Sequence, residues 1–219
     1  MLRELCANGC YLLLPYLAIE PSQILTALGA RVPVRGKTPH RDLLIHTKHS
    51  APRESMSAKI GAAEQPMHTD AAYNPCPPRY IVFQCLELGE TCCATNVMVL
   101  DPDRLSKDRP EALAKTIWVA HGGGRPPFYC PVMDVRRGEF RIRFDPLCMR
   151  PIHGSADAIG GALEILGRYS RQVSFEWELG SILIVDNWRC LHARGQGGHG
   201  APSRRLRRWS IGADHGLVI

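Results

Sequence analysis

Several features are missing from this chain, and each absence argues against a class of protein. No run approaches the roughly 18 apolar residues of a membrane-crossing helix. Tyr11-Leu12-Leu13-Leu14-Pro15 is apolar but brief and follows acidic Glu4, so it reads as a core strand and not as a secretory signal. The nine cysteines are odd in number, irregularly spaced and without a Cys-x-x-Cys pair. That argues against a disulfide framework and leaves a structural zinc site unsupported. Small buried thiols in a reducing cytoplasm are the expectation. The sequence has no internal repeat and no long linker. Gly122-Gly123-Gly124-Arg125-Pro126-Pro127 is glycine-rich, but no helix start with Lys-Ser/Thr follows, so it is read as a mobile loop and not a phosphate cradle.

What is present is ordinary in bulk. The 219 residues are 45% hydrophobic and 22% charged, enough for one well-buried domain over 1–219 and short for two. The formal net charge is +6, and Arg204, Arg205, Arg207 and Arg208 form its densest group. On a strand, Arg204 and Arg208 share a face with Leu206 while Arg205 and Arg207 point the other way. One pair is then placed to meet an anion inside a barrel, and no nucleic-acid partner is expected.

The pattern is mainly β with a few helices. A strand is expected near Cys10–Leu14, a helix over Pro21–Leu28, and an irregular polar stretch over 31–65. Two strands should lie within 66–100, and Asp101–Lys115 reads as a short helix. Residues 116–150 are β-like, with Glu139–Asp145 alternating at period two. The best helix lies within 156–172, with Leu163, Leu166 and Tyr169 as its apolar stripe. Three β segments follow at Val173–Glu178, Ser181–Asp186 and Leu206–Ala213. Many short strands of this kind suggest a sandwich or barrel.

The chemistry concentrates in His68-Thr69-Asp70 and in His192, which ends Asp186-Asn187-Trp188-Arg189-Cys190-Leu191-His192. On an extended strand, His-x-Asp presents both side chains on one face. A third ligand completes two imidazoles and one carboxylate, the facial set that suits Fe(II) and leaves open positions for chemistry.

Met67-His68-Thr69-Asp70, Pro77-Pro78-Arg79-Tyr80, Gly89-Glu90-Thr91, Asp186–His192 and Arg204-Arg205-Leu206 occur in an order that resembles a known family. These blocks, over about residues 55 to 215, resemble the taurine dioxygenase-like group of Fe(II)- and 2-oxoglutarate-dependent dioxygenases, relatives of clavaminate synthase. The resemblance implies a double-stranded β-helix, or jelly roll, with a few flanking helices. It implies that His68, Asp70 and His192 hold iron and serve catalysis. Thr91 and Arg204 would bind the far carboxylate of 2-oxoglutarate, with Arg205 as the register-slip alternative. Oxygen would be consumed, giving succinate, carbon dioxide and a hydroxylated, desaturated or cyclised product. A carboxylate at Asp70 disfavours halogenation.

For substrate, Tyr73 is three residues past the metal pair, and Ser57 lies where related enzymes approach substrate. Arg143 shares a strand face with Arg141 and Asp145, and Arg208 is four residues past Arg204. A small polar or amino-acid-like molecule fits such groups. The remaining histidines read as surface or loop residues and not as ligands, although His121 and His215 could reach a cavity. With little chain available for a long lid, the site is expected to be open, compatible with a carrier-tethered substrate or completion by a second copy in a homo-oligomer. Two other readings remain at this point: a zinc hydrolase or lyase using the same three ligands, and a non-catalytic jelly-roll binding protein.

Overall fold

The computed structural model describes residues 5, 8–15, 19–29, 40–53, 55–89, 93–136, 138–153, 157–196 and 204–212, save the side chain of 136. Two antiparallel sheets dominate. The larger joins β1 (Cys10–Leu13), β11 (Ile182–Asp186), β3 (Tyr80–Glu87), β13 (Arg205–Ile211) and β2 (Arg41–Leu43), in that order. The smaller joins β10 (Ser170–Phe175), β4 (Thr95–Leu100) and β12 (Cys190–Arg194). Ile81, Phe83, Cys85, Val97, Val99, Leu183, Val185, Cys190 and Leu206 fill the space between them. This is the jelly roll that the family resemblance implied, within the sandwich-or-barrel class that the strand pattern suggested.

Period-two alternation sends the other residues of the same strands outward. Val82, Ile182, Ile184, Trp209 and Ile211 pack against Ile24, Leu25 and Leu28 of helix α1 (Pro21–Leu28). Both faces of the large sheet are thus covered, which is why β11 is buried at every position. On the far side of the small sheet, Met98, Leu100 and Leu191 join a third cluster with Leu105, Leu113, Trp118, Phe144 and Leu166. This cluster gathers a sheet of β6 (Arg125–Cys130), β5 (Trp118–Gly122) and β9 (Met149–Pro151), with β7 (Met133–Arg136) and β8 (Glu139–Ile142) as a hairpin.

Local departures from expectation have local causes. The helix expected over Asp101–Lys115 is two helices, α3 (Pro102–Asp108) and α4 (Glu111–Ala114). Arg109 turns left-handed at φ 42° and Pro110 has no amide to continue the ladder. The best helix is α5 (Ala158–Arg168). The stretch 31–65 is not irregular throughout: β2 pairs with β13, and α2 (Met56–Ile60) starts where Ser55 Oγ accepts the Ala58 amide at 3.2 Å. Gly122–Pro127 is no open loop but the tight end of the β5–β6 hairpin. Of the cysteines described, Cys10, Cys85, Cys93, Cys130, Cys148 and Cys190 are buried, while Cys76 is exposed. Among the described residues, no helix is long and apolar enough to cross a membrane.

Candidate metal centre

Strand β12 alternates in the same way. Cys190 packs between the sheets, Leu191 points outward, and His192 points inward toward the open end of the roll. His68 lies directly beside it: His68 N–H donates to the His192 carbonyl at 3.1 Å, and His192 N–H returns a bond at 2.9 Å. This doubly bonded pair brings the imidazoles to 4.6 Å between ring centroids. Thr69 bonds to Phe144 through its amide at 2.7 Å. Asp70 then begins a turn, and Ala71 is left-handed at φ 55°. So the expected strand carrying His-x-Asp is a single bridge leading into a turn. The outcome for the side chains is the one alternation would give: ligand atoms of His68, Asp70 and His192 lie within 4.8 Å of one another, all on buried residues.

The protonation states suit a metal. His68 Nδ1 lies 2.9 Å from the Pro66 carbonyl. A carbonyl only accepts, so Nδ1 carries a proton, and in the neutral tautomer Nε2 is the nitrogen with the lone pair. Burial, with neighbouring His68, pushes the His192 imidazolium down to about 3, so this ring is neutral. Its Nδ1 is buried without a hydrogen-bond partner. Burial alone would raise Asp70, but the Arg208 guanidinium beside it opposes this, and the carboxyl is held below the usual range. Arg208 Nη1 stands 2.9 Å from both Asp70 oxygens. Two neutral-capable imidazoles, one ionised carboxylate and an orphaned ring nitrogen fit a divalent transition metal.

A cavity of about 470 Å³ opens from this group. Its walls include Arg204, just before β13, and Leu206 and Arg208 within it, the three residues expected on one face. Arg204 is 5% exposed; its Nη1 donates to the Cys93 carbonyl and, at 3.4 Å, to Thr95 Oγ1, and its guanidinium lies over the Trp177 ring. Arg205 pairs with Glu87 at 2.5 Å, and Arg207 with Asp42 at 2.8 Å, on the opposite face. The four arginines therefore form no single basic patch, and Arg204 rather than Arg205 stands at the cavity.

Tyr73 and Ser57 also line the cavity, as does His121. Tyr73 packs under the β5–β6 turn so closely that a Cβ on Gly123 would stand 2.4 Å from its ring. Thr91 and His215 lie outside the described residues. Arg143 corrects the expectation. Its guanidinium donates to the carbonyls of Ala72, Asn74 and Pro75 and stacks on Phe128, and it is not among the cavity walls. Strand β8 ends at Ile142, so alternation no longer governs Arg143, which instead clamps the turn after the metal pair. Asp145 does reach the cavity, buried, with Oδ1 accepting the Leu147 amide at 2.8 Å.

Sequence reasoning missed three contributors. Thr95 supplies the hydroxyl beside Arg204. The segment carrying β2 and α2 also lines the cavity, through residues that include Leu43, Met56 and Lys59. Asn187, inside a block already noted, is fully buried and bonds the Asp70 backbone.

Comparison with known proteins agrees with this geometry. A curated relative, 3-((Z)-2-isocyanoethenyl)-1H-indole synthase of Fischerella ambigua (strain UTEX 1903), is 27% identical over 154 residues, 59% of this chain and 56% of its own. The match thus spans just over half the relative's length. An asparagine oxygenase solved with Fe(II), 2S,3S-3-hydroxyasparagine and succinate superposes with a TM-score of 0.70 at 16% identity, covering 95% of this chain and 76% of its own. The non-haem iron oxygenase OrfP, solved with Fe, succinate and (3S)-hydroxy-L-Arg, gives 0.64 at 18% identity, covering 87% and 65%. These two share the fold. The profile of the taurine catabolism dioxygenase TauD, TfdA family matches residues 22–209, most of the sequence. The chain belongs to the TauD/TfdA family of dioxygenases.

Proposed function

We propose that this chain is an Fe(II)- and 2-oxoglutarate-dependent dioxygenase, one catalytic domain that oxidises a small polar or amino-acid-like substrate, by hydroxylation or by its desaturating or cyclising variants. The observation that carries this is the joint placement of His68, Asp70 and His192 at one end of a 470 Å³ cavity and of buried Arg204 on its wall. A metal facing three protein ligands has positions left for a chelating keto acid and oxygen. Iron and 2-oxoglutarate, once bound, supply the oxidising power, with succinate and carbon dioxide as co-products.

The protein residues have separable tasks. His68 offers Nε2, fixed by its bond to Pro66, and His192 stays neutral through burial. Arg208 keeps Asp70 ionised before metal arrives and presents its guanidinium to the cavity, where it is placed to meet an anionic substrate group. Arg204 receives the distal carboxylate of 2-oxoglutarate, with Thr95 beside it and Thr91 as a second hydroxyl. Phe83, edge-on to His192 at 5.5 Å, excludes water from one flank. Tyr73 and Ser57 shape the substrate end. Asp145 is placed to meet an ammonium, which suits a zwitterionic substrate of amino-acid size. The products held by asparagine oxygenase and OrfP are of that class.

The test is anaerobic addition of Fe(II) and 2-oxoglutarate, which should give a weak visible charge-transfer band. Oxygen should bleach it as succinate forms. His68→Ala, Asp70→Ala and His192→Ala should each lose Fe(II)-dependent turnover and retain the fold, because the three hydrophobic clusters do not rest on the metal. Parent protein that binds Fe(II) but gives neither band nor succinate at saturating 2-oxoglutarate would refute the proposal.

A further inference from the structure

Each metal ligand on the 68–70 segment is held by its main chain, and the third holder is unusual. His68 is paired through both backbone groups to His192, and Thr69 through its amide to Phe144. Among the described residues, no strand pairs with Asp70. There the carboxamide of Asn187 takes over: Oδ1 accepts the Asp70 N–H at 2.7 Å, and Nδ2 donates to the Asp70 carbonyl at 3.1 Å. The same Nδ2 donates to the Pro78 carbonyl at 2.9 Å. One side chain thus satisfies both backbone groups of a single residue, as a neighbouring antiparallel strand would. Immediately beyond, Ala71 is forced left-handed, a conformation that persists in a non-glycine residue only when its surroundings fix it.

We infer that Asn187 is a positioning residue that sets where the Asp70 carboxylate stands relative to the two imidazoles. Asn187 is five residues before His192 in the connection between β11 and β12, so one short segment carries both a ligand and the clamp on another ligand. The chemistry requires a carboxamide. A carboxylate accepts but cannot donate, and would set its charge against the carbonyls of Asp70 and Pro78. An apolar residue would leave three buried backbone groups without partners. Arg208 grips only the carboxylate end, where a metal must share one oxygen, so it cannot replace a hold on the backbone.

The inference deepens the proposed function and rests on its ligand assignment, so the test reads metal binding directly. Titrate metal-free parent, Asn187→Ala and Asn187→Asp with Co(II), well below each melting temperature, and record the visible ligand-field spectrum. Both variants should bind Co(II) 10- to 100-fold more weakly, the range typical of lost outer partners of metal ligands. The residual complex should show an altered band intensity. Where Asn187→Ala does not fold, Asn187→Gln serves: its carboxamide stands one methylene further out, so it should bind Co(II) more weakly than the parent while remaining folded. A lowered melting temperature with parental affinity and spectrum would show a merely structural residue and overturn the inference. A parent that binds no Co(II) or Fe(II) would overturn the ligand assignment and this inference with it. A parent that binds metal but makes no succinate would sink the oxygenase reading alone.

Discussion

Removing the Arg204 guanidinium should weaken 2-oxoglutarate binding far more than removing its neighbours on β13. Arg204 is buried, over the Trp177 ring, with part of its donor set on Cys93 and Thr95. A hydrogen bond to a charged carboxylate is worth about 1.5–3 kcal/mol, and burial favours the upper part of that range. At about 1.4 kcal/mol per decade, Arg204→Ala should lower affinity roughly ten- to hundredfold. Arg207 faces away and pairs with Asp42 where both are about a third exposed, an interaction worth about 0–1 kcal/mol to stability and nothing to the cosubstrate. Arg204→Lys keeps the charge but loses the planar fork, and should fall between. The assay is the 2-oxoglutarate dependence of succinate formation, with the anaerobic Fe(II) band as a binding readout. At high 2-oxoglutarate the band should return in Arg204→Ala, because in the proposed arrangement this side chain holds the far carboxylate and not the chelating end. Melting curves should accompany it, since the Cys93 carbonyl and the Thr95 hydroxyl lose a donor. Equal losses in Arg204→Ala and Arg207→Ala would refute the reasoning and point to a diffuse electrostatic effect. A loss confined to Arg205→Ala would show that the bulge between Arg205 and Leu206 shifts the functional register.

Gly123→Ala and Gly124→Ala share a left-handed backbone, but an added Cβ meets Tyr73 only at Gly123, while Gly124 has open space. Both should lose about 1–2 kcal/mol for the backbone, and only Gly123→Ala should also weaken substrate or 2-oxoglutarate binding by pushing Tyr73 into the cavity; identical behaviour in denaturant melts and turnover would rule that contact out. Asp186 is raised to about 6 by burial, against the pull of Arg79. The unfolded chain gives up this proton first, so the parent should lose stability as pH rises from about 4 to 6, by roughly 3 kcal/mol at 1.36 kcal/mol per unit. Asp186→Asn, which can still accept the Trp188 amide, should lack this dependence; parallel pH profiles of the two unfolding midpoints would contradict it. Arg143→Ala should loosen the turn that its three carbonyl bonds hold, raising amide exchange in residues 71–74, and leave 2-oxoglutarate affinity within about twofold; a large affinity loss would return Arg143 to the binding site.

Alternation made much of this legible. It placed Arg204, Leu206 and Arg208 on one face of β13 and Arg205 and Arg207 on the other, and the ion pairs with Glu87 and Asp42 follow from it. Alternation works while a chain stays paired on both sides, and it fails where pairing stops. Arg143 was grouped with Asp145 because Glu139–Asp145 alternates, but β8 pairs only to Ile142, and the two side chains part company beyond that point. β2 is three residues long and exists because β13 offers it an edge, a tertiary fact that no local composition announces.

The metal pair shows the same limit from the other side. His-x-Asp was read as a strand, and its side chains converge as a strand's would, yet the ladder beneath Asp70 is completed by a side chain 117 residues away. The candidate ligands are visible in the spacing because their chemistry is carried by residue type. Their support could not, because Asn187 looks like any polar residue at a strand end until the fold sets it against Asp70. The Asp186–His192 block therefore has two kinds of content. His192 can be named from sequence as a candidate ligand, whereas Asn187 becomes meaningful only when both backbone groups of Asp70 need partners and, among the described residues, its carboxamide supplies them.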